Sequence, residues 1–286
     1  MLHTLGLTLI IILVIVLMVT VAASFGDIRL KRKSDQEALE VLSSANLDQK
    51  EIIRQSDLEG LPSCVQKWLK RSNVIGKEKI HTVRFTQTGQ MRSEPDKPWM
   101  PIEAVQYVNV DKPGFVWKAK MKAAPLINMV GRDRYFQGHG SMKFKLLALL
   151  TLVDTKPCME MDQGTMLRYM AEMIWYPTAA LNDYFNWEEI DANSARGTMT
   201  WQGVRASMVF HFNDEGDSTH NVAPRYRAVK GGYVMDDWGG VSREYREFHG
   251  IRVANKADVI WKYKTGDFNW LKIEVTDIDF NQPGLY

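Results

Sequence analysis

Three periodicities follow one another along the chain. Leu5 to Phe25 carries no charged residue, and its centre is Leu9-Ile10-Ile11-Ile12-Leu13-Val14-Ile15-Val16-Leu17-Met18-Val19. A helix of this length rises about 31 Å, close to the hydrocarbon thickness of a bilayer. The run therefore predicts a transmembrane anchor over residues 1–28, with residues 5–25 in the membrane. Val21-Ala22-Ala23 resembles the cleavage site of a signal peptide. No Lys or Arg precedes the run, however, and it is long for the apolar region of such a peptide, so an uncleaved single span is preferred. Arg29, Lys31, Arg32 and Lys33 follow directly. Basic residues beside a span favour the cytoplasmic side, which is where the rest of the chain is expected.

The second pattern is helical and polar. Residues 29–60 read as a juxtamembrane helical stalk, with Ser34 and Glu37 at the spacing of a capping box. Leu61-Pro62 opens a further helix that puts Leu61, Val65, Trp68 and Leu69 on one face.

From about residue 80 the period falls to two, the strand repeat. Phe115, Trp117, Ala119 and Met121 alternate with Val116, Lys118, Lys120 and Lys122, predicting a half-buried strand whose lysines face water. Val204, Ala206, Met208, Phe210 and Phe212 repeat the pattern. Val259, Trp261 and Tyr263 run into the turn sequence Lys264-Thr265-Gly266-Asp267, and Leu271, Ile273 and Val275 follow. The alternation predicts roughly eight to ten strands, mostly antiparallel because the connections are short. Phe144 to Val153 is apolar enough for either a strand or a buried helix. Asp162 stands where it can cap a helix from about Gln163 to Trp175, ended by Pro177, with a shorter helix over 178–184. The expected fold is α+β: a transmembrane helix, then one β-rich domain over 61–286. In that domain a strongly curved, half-barrel-like antiparallel sheet has helices covering its concave face.

Composition narrows the function. The chain has 286 residues, 45% hydrophobic and 24% charged, which is ordinary globular composition. Its 36 Lys+Arg stand against 34 Asp+Glu, without the basic excess of a nucleic-acid binder. Two cysteines support neither a disulfide scaffold nor a four-cysteine zinc site. The histidines show no ligand spacing, and neither a Gly-x-Ser-x-Gly elbow nor a phosphate-binding loop occurs. No metal or cofactor is expected.

Two segments carry candidate chemistry. His139 lies between Gly138 and Gly140, with Asp133 nearby. That is either an acid–base pair or a hairpin with polar tips, and the hairpin is preferred because sequence proximity alone is weak. The helix around Met166 to Tyr176 is apolar on nearly every face, yet carries Arg168 and Glu172 at i,i+4. Arg before Glu is the weaker order for helix stabilisation. The pair is therefore either a satisfied core ion pair or the polar end of a lid over a greasy cavity. Met159, Met161, Met166, Met170 and Met173 favour the lid, since methionine adapts to varied apolar shapes. The expected site is lined by Trp117, Met121, Met170, Met173, Trp175 and Phe210, with Arg168, Glu172 and Tyr135 near a polar head group. Three functions follow: non-catalytic binding of a lipid or other apolar molecule, which leads; a hydrolase or isomerase using Asp133, His139 and Glu172; or a structural part of an envelope complex with an unknown protein partner.

Several strings together carry a family resemblance: Leu61-Pro62-x-x-Val65-Gln66-x-Trp68-Leu69; Trp99-x-Pro101-x-x-Ala104-x-Gln106; Pro113-Gly114-Phe115-x-Trp117-x-Ala119; Asp133-x-Tyr135-x-x-Gly138-x-Gly140-x-Met142; and Arg168-Tyr169-x-Ala171-Glu172-x-x-Trp175-x-Pro177-Thr178-Ala179. Over about residues 60–282 the chain resembles a bacterial membrane-anchored family of unknown function, which assigns no catalytic residue. In shape it is similar to lipoprotein-carrier proteins, curved antiparallel half-barrels whose helices plug an apolar concave face. The length and the tether depart from that group.

Overall fold

The computed structural model describes residues 2–48 and 50–286. It begins with α1, Leu2–Ser43, a single unbroken helix. Its first part is exposed, and by length and composition it can cross a bilayer. Ser34 does not cap a helix. It lies inside α1, and its hydroxyl donates to the Leu30 carbonyl at 2.9 Å. A second helix, α2, spans Ser63–Arg71 and buries Cys64, Val65, Trp68 and Leu69.

The strands are β1 Thr82–Met91, β2 Met100–Asn109, β3 Gly114–Ala124, β4 Ile127–Phe136, β5 His139–Leu146, β6 Leu150–Asp154 and β7 Phe185–Asp191. They continue as β8 Ser194–Trp201, β9 Val204–Phe212, β10 Ser218–Val229, β11 Gly232–Phe248, β12 Ile251–Tyr263 and β13 Gly266–Phe280. Among the described residues they form one 13-stranded antiparallel sheet, ordered β6-β5-β4-β3-β2-β1-β13-β12-β11-β10-β9-β8-β7. Its two edges do not pair, so the sheet is not closed. The strand count exceeds the sequence expectation for two reasons. β6 and β7 are short, and β10 and β11 carry polar residues on both faces near their shared turn, which hides the alternation.

The third helix, α3, spans Met159–Ala171, followed by 3-10 turns over Glu172–Trp175 and Pro177–Leu181. α3 touches β4 and β5 on one wing of the sheet and β9, β10 and β11 on the other. Both wings meet one helix, so the sheet wraps around it and the helices fill the concave face. Asp162 does not cap α3. Its carboxylate accepts the Gly140 N–H at 2.7 Å and pairs with His139 at 3.1 Å. Gly140 is required here, because a Cβ on it would overlap Thr165 and the Met161 carbonyl of α3. The apolar run 144–153 is neither one strand nor a helix. Leu147 and Ala148 take left-handed φ of 51° and 57°, folding it into the β5–β6 hairpin.

The outer face of β2–β4 is covered by the second part of α1. Ala38, Val41 and Leu42 pack on Tyr107 and Val116. Asp35 meets Lys118 at 2.5 Å, Glu37 meets Arg132 at 2.6 Å and Glu40 meets Arg134 at 2.6 Å. Lys118 thus faces α1 and not water. Glu37 and Arg132 are both 9% exposed, and a second hydrogen bond of 3.1 Å makes the pair bidentate. Arg132→Ala leaves the Glu37 carboxylate buried without its cation, which should cost about 3–5 kcal/mol. Urea unfolding of the full chain in detergent checks this, and wild-type stability would show that the pair does not hold α1.

Candidate ligand-binding site

Between the inner face of the sheet and the segment Ala171–Trp175 lies a cavity of about 370 Å³. Period-two strands create it, since every second side chain points inward. Met91, Met121, Met129, Trp261, Trp270 and Ile273 form much of its apolar wall. The adaptable methionines are therefore on the strands: Met170 and Met173 of the helical segment are buried in the core and do not line the cavity.

One side of the cavity is charged. Asp133, Arg168, Glu172 and Arg225 all line it. Arg168 donates through Nε to Glu172 at 2.8 Å, through Nη1 to Asp133 at 2.7 Å and through Nη2 to Gln106 at 3.0 Å. Gln106 donates in turn to Glu172 at 2.5 Å. The Arg168 guanidinium also lies 4.6 Å over the Trp117 ring and 4.9 Å from the Phe115 ring centre. Burial opposes the charge on Arg168, but Glu172 and Asp133 outweigh it and hold the group above its usual pKa. Burial raises the Glu172 carboxyl against the pull of Arg168. Asp133 Oδ1 is buried and has no hydrogen-bond partner among the described residues.

The expected site residues divide. Trp117, Met121, Arg168, Glu172 and Trp175 line the cavity. Trp117 is fixed by its Nε1–H donating to Gln87 at 2.9 Å, and Trp175 by donating to the Ala254 carbonyl at 2.7 Å. Tyr135 and Phe210 lie in the core beside it: Tyr135 packs against Phe115 and Tyr169, and Phe210 against Phe185 and Trp187. Of the acid–base residues, Asp133 and Glu172 meet on Arg168. His139 pairs with a different carboxylate, Asp162, and its side chain is 74% exposed. Across the hairpin His139 stands opposite Phe136, which packs on the outer cluster, whereas Asp133 lines the inner cavity. Among the described residues, no group of three or more His, Cys, Asp or Glu is placed to hold a metal ion.

Arg225 carries no signal in the sequence. It follows Pro224 on a strand whose inward positions, Asn221, Ala223, Arg225 and Arg227, are mostly polar, so alternation does not mark it as buried. Its guanidinium lies 4.2 Å from the centre of the Trp238 ring. The carboxylate opposite it on β11, Asp236, is bound by Arg227 at 2.7 Å. Burial pushes the Arg225 guanidinium down to about 10.

Residues 59–280 match a family of unknown function, DUF6920. No curated protein matches the chain. Among solved structures, a LolA superfamily protein from Nitrosomonas europaea is similar at 9% identity and a TM-score of 0.40, over 76% of this chain and 93% of that one. A candidate outer membrane lipoprotein-sorting protein domain from Vibrio parahaemolyticus gives 10% identity and 0.43, over 78% and 93%. A DUF1329 family protein from Desulfovibrio piger gives 8% and 0.42, over 78% and 94%.

Proposed function

The chain belongs to the DUF6920 family of unknown function, and we propose that it binds a lipid or another apolar molecule at a membrane surface without covalent chemistry. The cavity carries this reading: about 370 Å³ of mostly apolar space with a few convergent polar groups is the form of a small-molecule site.

Several features support a membrane setting. Residues 1–28 act as the anchor in this reading, with the bilayer around residues 5–25. Ile15, Val16 and Val19 of α1 run beside Leu126 at the β3–β4 turn and Leu147 at the β5–β6 turn. Leu126 is 92% exposed, and Leu150, at the start of β6, is 61% exposed. Such apolar tips beside the apolar part of α1 suit contact with lipid. The same strands carry Met121, Met129 and Phe144 of the cavity wall. The cluster Arg29, Lys31, Arg32 and Lys33 favours the cytoplasmic side, and a protease that removes the domain from intact cells would place it outside instead.

Native mass spectrometry of the gently purified full chain, followed by extraction, tests the binding. A stoichiometric apolar molecule is expected. A clean apo mass, together with delipidated protein that takes up neither fatty acid nor phospholipid, would overturn the reading.

A further inference from the structure

We propose that Arg225, together with the indole N–H of Trp238, is the head-group site of the cavity and selects an amphiphile whose head is an oxyanion, a carboxylate or a phosphate monoester. This rests on the cavity holding an apolar molecule and adds which chemistry its polar end carries.

The three cavity arginines, Arg168, Arg225 and Arg227, differ in their partners. Arg168 directs its donors to Glu172, Asp133 and Gln106, and so has little left for a ligand. Arg227, two positions along β10, is bound to Asp236. Arg225 lines the same cavity but makes no hydrogen bond or ion pair to a carboxylate among the described residues. It rests on Trp238, with Trp261 at 5.8 Å. Above it runs Gly164 of α3, where an added Cβ would stand in tight contact, 3.3 Å, with Arg225 Nε.

Of the three buried polar atoms of the cavity wall that have no partner among the described residues, Asp133 Oδ1 is an acceptor beside Arg168, and the other two are indole donors. Trp238 is 3% exposed, and among the described residues neither its Nε1–H nor that of Trp270, also on the cavity wall, has a hydrogen-bond partner. A guanidinium fork and indole N–H groups are all donors, and the ligand that satisfies them presents acceptors. Asp133 attracts Arg225 electrostatically, but no hydrogen bond joins them. Guanidinium is weakly hydrated, stacks on aromatic rings and matches a carboxylate or phosphate in a two-pronged geometry. Next to an apolar wall it makes a site for the head of an alkyl anion.

The rival reading is that Arg225 only balances Asp133 and packs on Trp238. The two differ in selectivity. Full-length protein in phosphatidylcholine nanodiscs, corrected for empty discs, is loaded with tritiated 1-dodecanol, a neutral probe of the apolar space. Dodecanoate, dodecyl phosphate, dodecyltrimethylammonium and inorganic phosphate then compete. The two alkyl anions should displace the probe at concentrations about tenfold or more below unlabelled dodecanol, the scale of a charge-assisted hydrogen bond. Dodecyltrimethylammonium should show no such advantage, and inorganic phosphate alone should not displace. Arg225→Gln should still bind the probe and lose the anion advantage, while Arg225→Lys should retain part of it.

Each outcome decides. If dodecanol does not bind, the binding function itself fails. If it binds but the anions compete no better, or if Arg225→Gln keeps their advantage, the cavity stands and the head-group assignment falls. Displacement by inorganic phosphate alone would make the ligand a free anion and overturn the amphiphile. Should Arg225→Gln fail to fold, an anion advantage lost in Trp238→Phe, which keeps the ring and removes the N–H, supports the assignment, and one retained in Arg225→Lys and Trp238→Phe alike overturns it.

Discussion

Arg168→Ala should lower the stability of the domain by about 3–5 kcal/mol, the scale for removing one partner of a buried ion pair. The reason is the shared fork. Arg168 binds Asp133 at 2.7 Å and Glu172 at 2.8 Å. Both acids are buried, Asp133 to 2% exposure. Removing the cation leaves two carboxylates facing each other in an apolar wall. The loss should depend on pH in a definite direction. Without Arg168, burial and the neighbouring Asp133 charge raise the folded-state pKa of Glu172 further above its unfolded value of about 4. The folded state then binds more protons than the unfolded state, so stability falls as pH rises through that window and recovers as pH falls toward it. Urea unfolding of the full chain in detergent between pH 5 and 8 reads this directly. Arg168→Met combined with Asp133→Asn and Glu172→Gln should regain most of the loss, because neutral amides carry no uncompensated charge. Wild-type stability of Arg168→Ala at pH 8 would show that the charges are not buried as described.

The second large effect concerns ligand and not stability. Ala257 of β12 faces the cavity and is 6% exposed. A tryptophan there must project into the space of about 370 Å³. Ala257→Trp should lose bound apolar molecule by about a hundredfold or more in affinity, the equivalent of about 2.7 kcal/mol. Its effect on folding should stay within the 1–3 kcal/mol typical of overpacking, or reverse where the ring fills empty volume. Extraction of lipid from purified variant and wild type, with melting curves for both, separates the two effects. Wild-type stoichiometry of bound lipid in Ala257→Trp would remove this cavity as the site.

Much of the architecture is legible because one-face burial leaves a mark in sequence. Phe115, Trp117, Ala119 and Met121 alternate with Val116 and then three lysines, and that pattern is β3. The apolar run from Leu5 is equally plain and lies in α1. What is hidden is long-range complementarity. Asp35, Glu37 and Glu40 look like the solvated face of a stalk until β3 and β4 bring Lys118, Arg132 and Arg134 against them. The weak order of Arg168 in α3 before Glu172 in the turn after it is a usable signal, since it points away from local helix stabilisation and toward a partner elsewhere, which proves to be Asp133. Arg225 shows the limit. Nothing in Pro224-Arg225-Tyr226-Arg227 separates a guanidinium under a helix from one in water. Only the curvature of the sheet, which carries β10 beneath α3, makes that difference.

The continuity of α1 has a mechanical consequence. No break interrupts Leu2–Ser43, and Gly26 sits so close to the β5–β6 turn that an added Cβ would stand 2.6 Å from the Ala148 carbonyl oxygen. There is no swivel between the apolar stretch and the β-rich body. Whatever holds residues 5–25 also sets the compass bearing of the cavity, and the body turns only as the helix turns. A glycine-serine insertion after Lys33 would break the helix but leave the contact of Gly26 with the β5–β6 turn, so both links would have to be cut to free that bearing.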